Sequence, residues 1–268
     1  MNLLTHSLPS TLKQARTACR LSQLELAMRM GISQRHVSFV ESGRAKPSRE
    51  LLLVWLRELE APLAVRNAAL LQAGYAPAYG SAQLDDPALA QAKYALTQLL
   101  RTHDPMPALM LDAQWNVLDW NRGAQWLAAT LTPWVVNAVQ ETPLNMLDLL
   151  VHPEGFTSKM VNLHEVGPSL LAHLREDVGA QPTLIPKLEA FAALLEERLG
   201  QKNLYTGGLR STAPVLTTRF ATSYGELAFF SMFTTFGTPQ DITLASLRVE
   251  HMFAADETTH AVLKAQLL

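Results

Sequence analysis

"LSQLELAMRMGISQRHVSFVESGRAKPS", residues 21–48, contains two short stretches of helical spacing separated by a glycine. Ser22 stands where an N-cap belongs, and Glu25, three residues on, completes a capping box; Gly31 stops the helix they start. Ser33 is placed to cap a second helix at once. Within it Val37 and Val40 recur at helical spacing and face a core with Leu26, Ala27 and Ile32, which turns Gln34, Arg35 and Ser38 outward together. Two short helices joined through Gly31 and Ile32, the second with hydrogen-bonding side chains on its exposed face, form a helix-turn-helix whose second helix fits the DNA major groove.

The Ser-Gln opening, the Leu-Ala pair, the Gly-aliphatic-Ser turn and the Glu-x-Gly exit resemble the phage-repressor or XRE family of helix-turn-helix domains, over most of residues 8–75. The resemblance places Gln23, Gln34, Arg35 and Ser38 near base edges or flanking phosphates, with the capping Ser33 beside them. Glutamine can pair bidentately with adenine and arginine with guanine. Phe39 stands where many members carry a polar or basic residue; it either touches a thymine methyl or sugar, or packs against a neighbouring helix or domain. His36 is read as a packing or phosphate-side residue. After the turn at Gly43, Arg44 and Lys46 lie beside the backbone track and are expected on phosphates, which position a protein without specifying sequence. Glu41 would repel phosphates on such a surface. In the resembling family this glutamate turns inward to an arginine of the first helix, which here is Arg16, so a partly buried Arg16–Glu41 ion pair is expected.

The charge distribution agrees with a nucleic-acid module. Residues 1–80 carry ten Lys and Arg against five Asp and Glu, net +5, and residues 81–268 carry twelve against nineteen, net −7. Taken alone, the same division also fits uneven scatter of surface charge. A hydrophobic content of 48% over 268 residues is enough to bury real cores. No apolar run reaches the roughly 18–20 residues that span a bilayer, and "MNLLTHSLPSTLKQAR" lacks the pattern of a secretory leader, so the expected location is cytoplasmic, with no membrane partner. The single cysteine, Cys19, has no disulfide partner within the chain and is expected as a small packed or half-buried residue.

Further on, "SRELLLVWLRELEAP" and "LAVRNAALLQAGYAPAYG" read as two more helices that complete a five-helix domain. Together with the preceding residues they resemble the XRE subgroup that carries a C-terminal MmyB-like ligand-binding domain. The expected organisation is a helix-turn-helix domain over residues 1–78, a Gly/Pro-marked linker at 79–86, and a second domain over 87–268. In that second domain Asp86 and Pro87 start a helix. "PALMLDAQWNVLDWN" alternates around an Asp-Ala-Gln turn as a hairpin, "RGAQWLAATL" returns to helical spacing, and a mostly helical region follows. Three strands are then expected, "APVLTTRFAT", "GELAFFSMFTTFG" and "ITLASLRVEHMFA", before a last helix "DETTHAVLKAQLL". The fold class is therefore mixed: an all-α lambda-repressor-like domain, then an α+β PAS-like domain with a five-stranded antiparallel sheet.

The strand at residues 225–237 is apolar on both faces, so something covers both sides of the sheet. Inserted helices and a pocket can cover one side, a terminal helix or second subunit the other. Aromatic and methionine stripes are more often core filling than pocket lining; the resemblance favours a pocket, because it implies a fatty-acid-like effector. On that reading Phe229 and Phe233 line it, and the odd polar or aromatic residues Trp120, Asn121, Arg219 and His251 lie at its end. Three of these have a plainer role: hairpin packing for Trp120, helix capping for Asn121, a core position for His251. Enzyme signatures are absent. There is no G-x-S-x-G, P-loop, H-E-x-x-H or G-x-G-x-x-G, and "LHEVG" lacks the second histidine of a zinc helix. No metal or cofactor is expected beyond a bound apolar effector. The expected function is a dimeric, operator-binding regulator; the alternative is a helix-turn-helix protein whose second domain serves only dimerisation or protein contacts.

Overall fold

The computed structural model describes residues 7–137, 143–178, 182–200 and 215–268. Its contacts divide the chain into two units, one running to Gln83 and taking in Thr238–Ala245, the other comprising Leu84–Gly237 and Ser246–Leu268.

The first unit is built from helices α1 (Leu8–Ala18), α2 (Gln23–Met30), α3 (Gln34–Glu41), α4 (Arg49–Glu58) and α5 (Leu63–Gln72). Their starts follow local chemistry. Ser22 accepts from the Glu25 amide while the Glu25 carboxylate accepts from the Ser22 amide, and Ser33 and Ser48 accept from the amides of His36 and Leu51. Those bonds satisfy amides that the helices cannot satisfy themselves. Gly31 ends α2 at φ +66°, a left-handed conformation that a β-carbon disfavours. The core gathers one face of every helix around the fully buried Trp55, with Leu12, Leu26, Val37, Leu52 and Leu70. Cys19 is exposed rather than packed; it is the C-cap of α1, and its thiol donates to the Leu59 carbonyl at 3.4 Å.

The stretch expected to link two domains is held along its first half. Asn67 Oδ1 accepts from the amides of Ala78 and Tyr79 at 2.9 and 3.1 Å. Asp241 accepts from the Ala82 amide at 3.1 Å, and Thr243 donates to the Ala82 carbonyl at 2.6 Å. Residues 238–245, an excursion between two strands, thus fasten residues 80–82.

In the second unit a 3₁₀ turn (Pro87–Leu89), capped by Asp86, leads into α6 (Ala90–Thr102). Strands β1 (Ala108–Leu111) and β2 (Val117–Trp120) form the expected hairpin, in which Asp112 Oδ1 accepts from the amides of Gln114 and Asn116 at 2.8 and 2.9 Å. Then come α7 (Arg122–Leu131), α8 (Pro133–Asn137), α9 (Met146–Val151), α10 (Phe156–Lys159), α11 (Leu163–Val178), a 3₁₀ turn (Pro182–Leu184) and α12 (Ile185–Leu199). Strands β3 (Thr217–Thr222), β4 (Gly225–Thr235) and β5 (Arg248–Ala254) complete an antiparallel sheet of order β2-β1-β5-β4-β3, and the chain ends in a helix over Glu257–Leu267. Ala213 and Pro214, expected to open β3, lie outside the described residues.

One element departs from expectation. "ITLASLRVEHMFA" is not a single strand: Ile242–Ser246 is a short helix, α13, and only Arg248–Ala254 pairs. Asp241 supplies the reason, since its Oδ1 accepts from the Thr243 amide at 2.8 Å and so starts a helical turn in a β-branched stretch. The terminal helix is then α14. Gly123 sits where α7 meets the turn before β1; a β-carbon there would come 2.5 Å from the Pro105 carbonyl oxygen. The outer edge of β3 is covered by residues 160–162: the Val161 amide donates to the Arg219 carbonyl at 2.8 Å, and Asn162 accepts from the Arg219 amide at 3.0 Å. That pairing removes a free strand edge.

Candidate functional site

Helix α3 exposes Gln34 and Arg35 to solvent while Val37 and Val40 are buried. Ser33 is exposed as its cap, and Ser38 and Phe39 are half-buried. Phe39 has two cations over its ring, the Arg35 guanidinium 5.1 Å and the Arg44 guanidinium 6.0 Å from its centre. It therefore serves as a platform that narrows the positions open to both side chains. Lys46, also exposed, stands 5.0 Å from the Tyr75 ring, and Tyr75 donates to the Pro47 carbonyl at 3.0 Å.

The acid on this surface is neutralised from within. Arg16 Nε donates to Glu41 Oε1 at 2.7 Å and Arg16 Nη2 to Oε2 at 2.9 Å, a buried two-pronged pair. Hydrogen bonding to Glu41 raises the Arg16 pKa further above its ordinary value, against the opposing pull of burial. Gln23 is drawn into the same cluster, its Nε2 donating to Glu41 Oε2 at 2.8 Å. The pair was expected from the sequence; the resemblance placed Gln23 near base edges or flanking phosphates, and here the NH2 end of its amide is bonded to Glu41.

In the second unit a cavity of about 360 Å³ lies between one face of the sheet and helices α7, α9, α10 and α11, within the range of small-molecule pockets. Strand alternation decides who faces it. Trp120, Phe229 and Phe233 are on its wall. Helix α11 contributes Val166, Ser169, Leu170, His173 and Leu174, a single helical stripe. Three residues expected at the end of a pocket are elsewhere. Asn121 is buried as the cap of α7 and as a bracket: Oδ1 accepts from the amides of Ala108 and Ala124, both at 2.9 Å, and Nδ2 donates to the Met106 carbonyl at 2.8 Å. Arg219 faces away from the cavity-lining Thr218 and Phe220 and pairs with Glu226 at 3.1 Å and Glu165 at 3.8 Å. His251 lies on the opposite side of the sheet, edge-on to His103 at 4.8 Å, and burial lowers its pKa, with His103 adding to the effect. Its Nε2 finds no hydrogen-bond partner among the described residues.

What the sequence reading missed is Glu250. It precedes His251 and so points to the other face, into the cavity wall, where the Ser231 hydroxyl donates to it at 2.7 Å. Removal from water raises its carboxyl pKa, opposed by the Ser231 hydrogen bond and by the charges of Arg248 and His173. The signal was available: in "RVEHMFA" an acid alternates with Met252, and a carboxylate on an apolar strand face needs an explanation.

Two family descriptions match the chain: a helix-turn-helix over residues 12–65, and the MmyB-like transcription regulator ligand binding domain over residues 92–265. The chain belongs to the MmyB-like transcription regulators. Compared with curated proteins it finds no match. The regulator is thus a DNA-binding transcription factor with a ligand-binding domain. Among its described residues no helix is long and apolar enough to cross a membrane, and no group of three or more His, Cys, Asp or Glu is placed to hold a metal ion. Arg44 and Lys46, both exposed beside α3, give a first expected result for the regulator. Replacing both with alanine weakens binding to all DNA sequences alike and makes the salt dependence of log K shallower by about 1.8, since each phosphate contact contributes about 0.9. Fluorescence anisotropy across a salt series reads the slope; an unaltered slope removes both residues from the phosphate track.

Proposed function

We propose that this regulator binds a palindromic operator as a homodimer through Gln34, Arg35 and the α3 surface, and that a small apolar or amphipathic molecule in the second unit's cavity sets its operator affinity. The observation that carries the second half is the cavity itself: a largely apolar space lined by Trp120, Phe229 and Phe233. The strand order β2-β1-β5-β4-β3 supports a PAS-like description of that unit. Arg35 and Gln34 read base edges, Ser33, Ser38 and Gln23 flank them, Phe39 steers Arg35, and Arg44 and Lys46 hold phosphates. Two subunits place two copies of α3 about one helical turn, roughly 34 Å, apart. The effector acts by binding the two subunit arrangements with different affinity, a coupling that operates in both directions. The protein carries out no catalysis on this reading and works in the cytoplasm as a repressor-type switch.

The test is native mass spectrometry of freshly purified protein, followed by organic extraction and mass analysis. The expected result is a dimer carrying one apolar compound per subunit, whose removal or return shifts operator affinity. A dimer that carries nothing, and whose operator affinity no apolar compound alters, would reduce the second unit to a structural or dimerising role.

A further inference from the structure

Residues 78–82, which follow α5, are held from two sides. From α5, the buried Asn67 takes the amides of Ala78 and Tyr79 on Oδ1 and donates through Nδ2 to the Tyr79 carbonyl at 2.8 Å. Its neighbour Arg66 donates to the Tyr79 hydroxyl at 3.2 Å. From the other side come residues 241–243. The Ile242 amide donates to the Gly80 carbonyl at 2.8 Å, Asp241 Oδ2 accepts from the Ala82 amide, and the Thr243 hydroxyl donates to the Ala82 carbonyl. Gly80 and Asp241 pair as a parallel bridge, so close that a β-carbon on Gly80 would lie 2.6 Å from Asp241 Oδ2. The two oxygens of Asp241 act in different directions: Oδ1 starts α13 at Thr243, and Oδ2 holds residue 82.

This clasp lies in the first unit, yet one of its sides is an excursion from the sheet of the second. The chain passes between the units after Gln83, after Gly237 and after Ala245. The two later passages continue β4 and lead into β5, paired strands that carry Ser231, Phe233, Glu250 and Met252 on the cavity wall. Phe233 stands two residues before β4 ends at Thr235, its ring centre 6.3 Å from Trp115 and 6.2 Å from His173. A molecule that displaces Phe233 therefore acts close to where the excursion begins, and hydrogen-bonded strands carry a shift to their ends. We propose, building on the reading of this cavity as the effector site, that the Asp241 clasp carries cavity occupancy to the DNA-binding unit: β4 and β5 shift, residues 238–245 shift with them, and residues 78–82 draw on α5. Without the clasp a flexible Gly-Ser segment would join the units and transmit little. The coupling requires filled and empty cavities to favour different positions of the excursion. Asp241 is not among the described residues that line the cavity and acts through the backbone of residues 80–82, so it is a positioning residue.

The experiment uses the full-length protein stripped of co-purifying compounds, dodecanoic acid as the probe, and an operator selected from a random DNA library. Isothermal titration calorimetry reads binding of the acid, fluorescence anisotropy reads operator affinity with and without it, and hydrogen exchange reads the amides of Ala82 and Ile242. In the wild type the acid is expected to change operator affinity by about fivefold or more, the usual range for coupled sites, and to alter exchange at both amides. Asp241→Asn keeps an acceptor for the Thr243 amide and turns an NH2 group toward the Ala82 amide, so it opens the clasp and preserves α13. It is expected to bring the ratio of the two operator affinities to within about twofold of one, while the acid still binds within about twofold of its wild-type affinity. Gly80→Ala opens the clasp from the other side and is expected to do the same. A merely structural residue would lower both operator affinities and leave their ratio as it was. A wild-type ratio in either variant overturns the proposal, as does acid binding that leaves exchange at Ala82 unaltered. If the acid does not bind, or binds without shifting wild-type operator affinity, it is the effector reading of the cavity that falls, and with it this inference.

Discussion

Glu41→Ala is expected to cost the first unit about 3–5 kcal/mol, enough to leave a small helical domain largely unfolded near physiological temperature. The substitution leaves the Arg16 guanidinium buried at 8% exposure, with two of its hydrogen bonds gone and only the Leu21 carbonyl, 2.6 Å from Nη1, still accepting. The penalty comes from the orphaned charge more than from the lost attraction. For that reason Arg16→Met combined with Glu41→Leu is expected to recover most of the loss, because an apolar pair of similar volume leaves nothing unpaired. Urea denaturation of the single and double variants measures both numbers. A single-variant cost under about 1 kcal/mol would mean that the pair behaves like one on the surface. Glu41 also holds Gln23, so operator binding by the folded fraction of the single variant reports whether that tether matters to recognition.

Arg35→Ala carries the largest expected effect on recognition. On the proposed reading its guanidinium, exposed and held over Phe39, pairs with a guanine edge, and its loss costs about 1–3 kcal/mol against the preferred operator, a drop of roughly five- to 150-fold. The signature is positional: preference relaxes at one base pair in each half-site and persists elsewhere. Arg35→Lys is expected to restore overall affinity better than base preference, because an ammonium offers a charge without the planar fork. Selection of binding sites from a random DNA library, repeated with each variant, reads both quantities. An operator preference that survives Arg35→Ala unchanged would assign base reading to other residues of α3.

The first unit was legible because its rules are local. Ser22, Ser33 and Ser48 cap helices from their own neighbourhoods, Gly31 ends one by its backbone alone, and Val37 and Val40 repeat at the helical period. Even the long-range Arg16–Glu41 pair could be reached, through a resemblance together with the cost of an acid beside phosphates. The second unit was legible in its order of elements and less so in its site. Which face of a strand meets a cavity depends on what packs against the sheet, and alternation alone leaves both faces open. Arg219 and His251 were singled out as polar residues among apolar neighbours, yet both lie on faces directed away from the cavity, and the residue beside His251 in sequence faces into it. Asn121 was ambiguous between cap and pocket, and its four hydrogen bonds, including one to the Leu100 carbonyl at 3.2 Å, use its amide entirely for the framework. The α13 helix was hidden for a different reason: Ile242, Thr243 and Leu244 read as strand, and one aspartate before them starts a helical turn.

Glu250 and His251 sit side by side on β5 and face opposite sides of the sheet, the carboxyl pKa raised and the imidazole pKa lowered by burial. Between the ordinary values of 4.5 and 6.5 an unfolded chain carries the first as an anion and the second as a cation. Burial thus opposes the charged form of each, and acidification acts on the fold through the two in opposite senses: protonating Glu250 removes a charge that burial disfavours, whereas protonating His251 creates one. One strand therefore contributes two opposing slopes of stability against pH, and replacing either residue leaves the other unopposed.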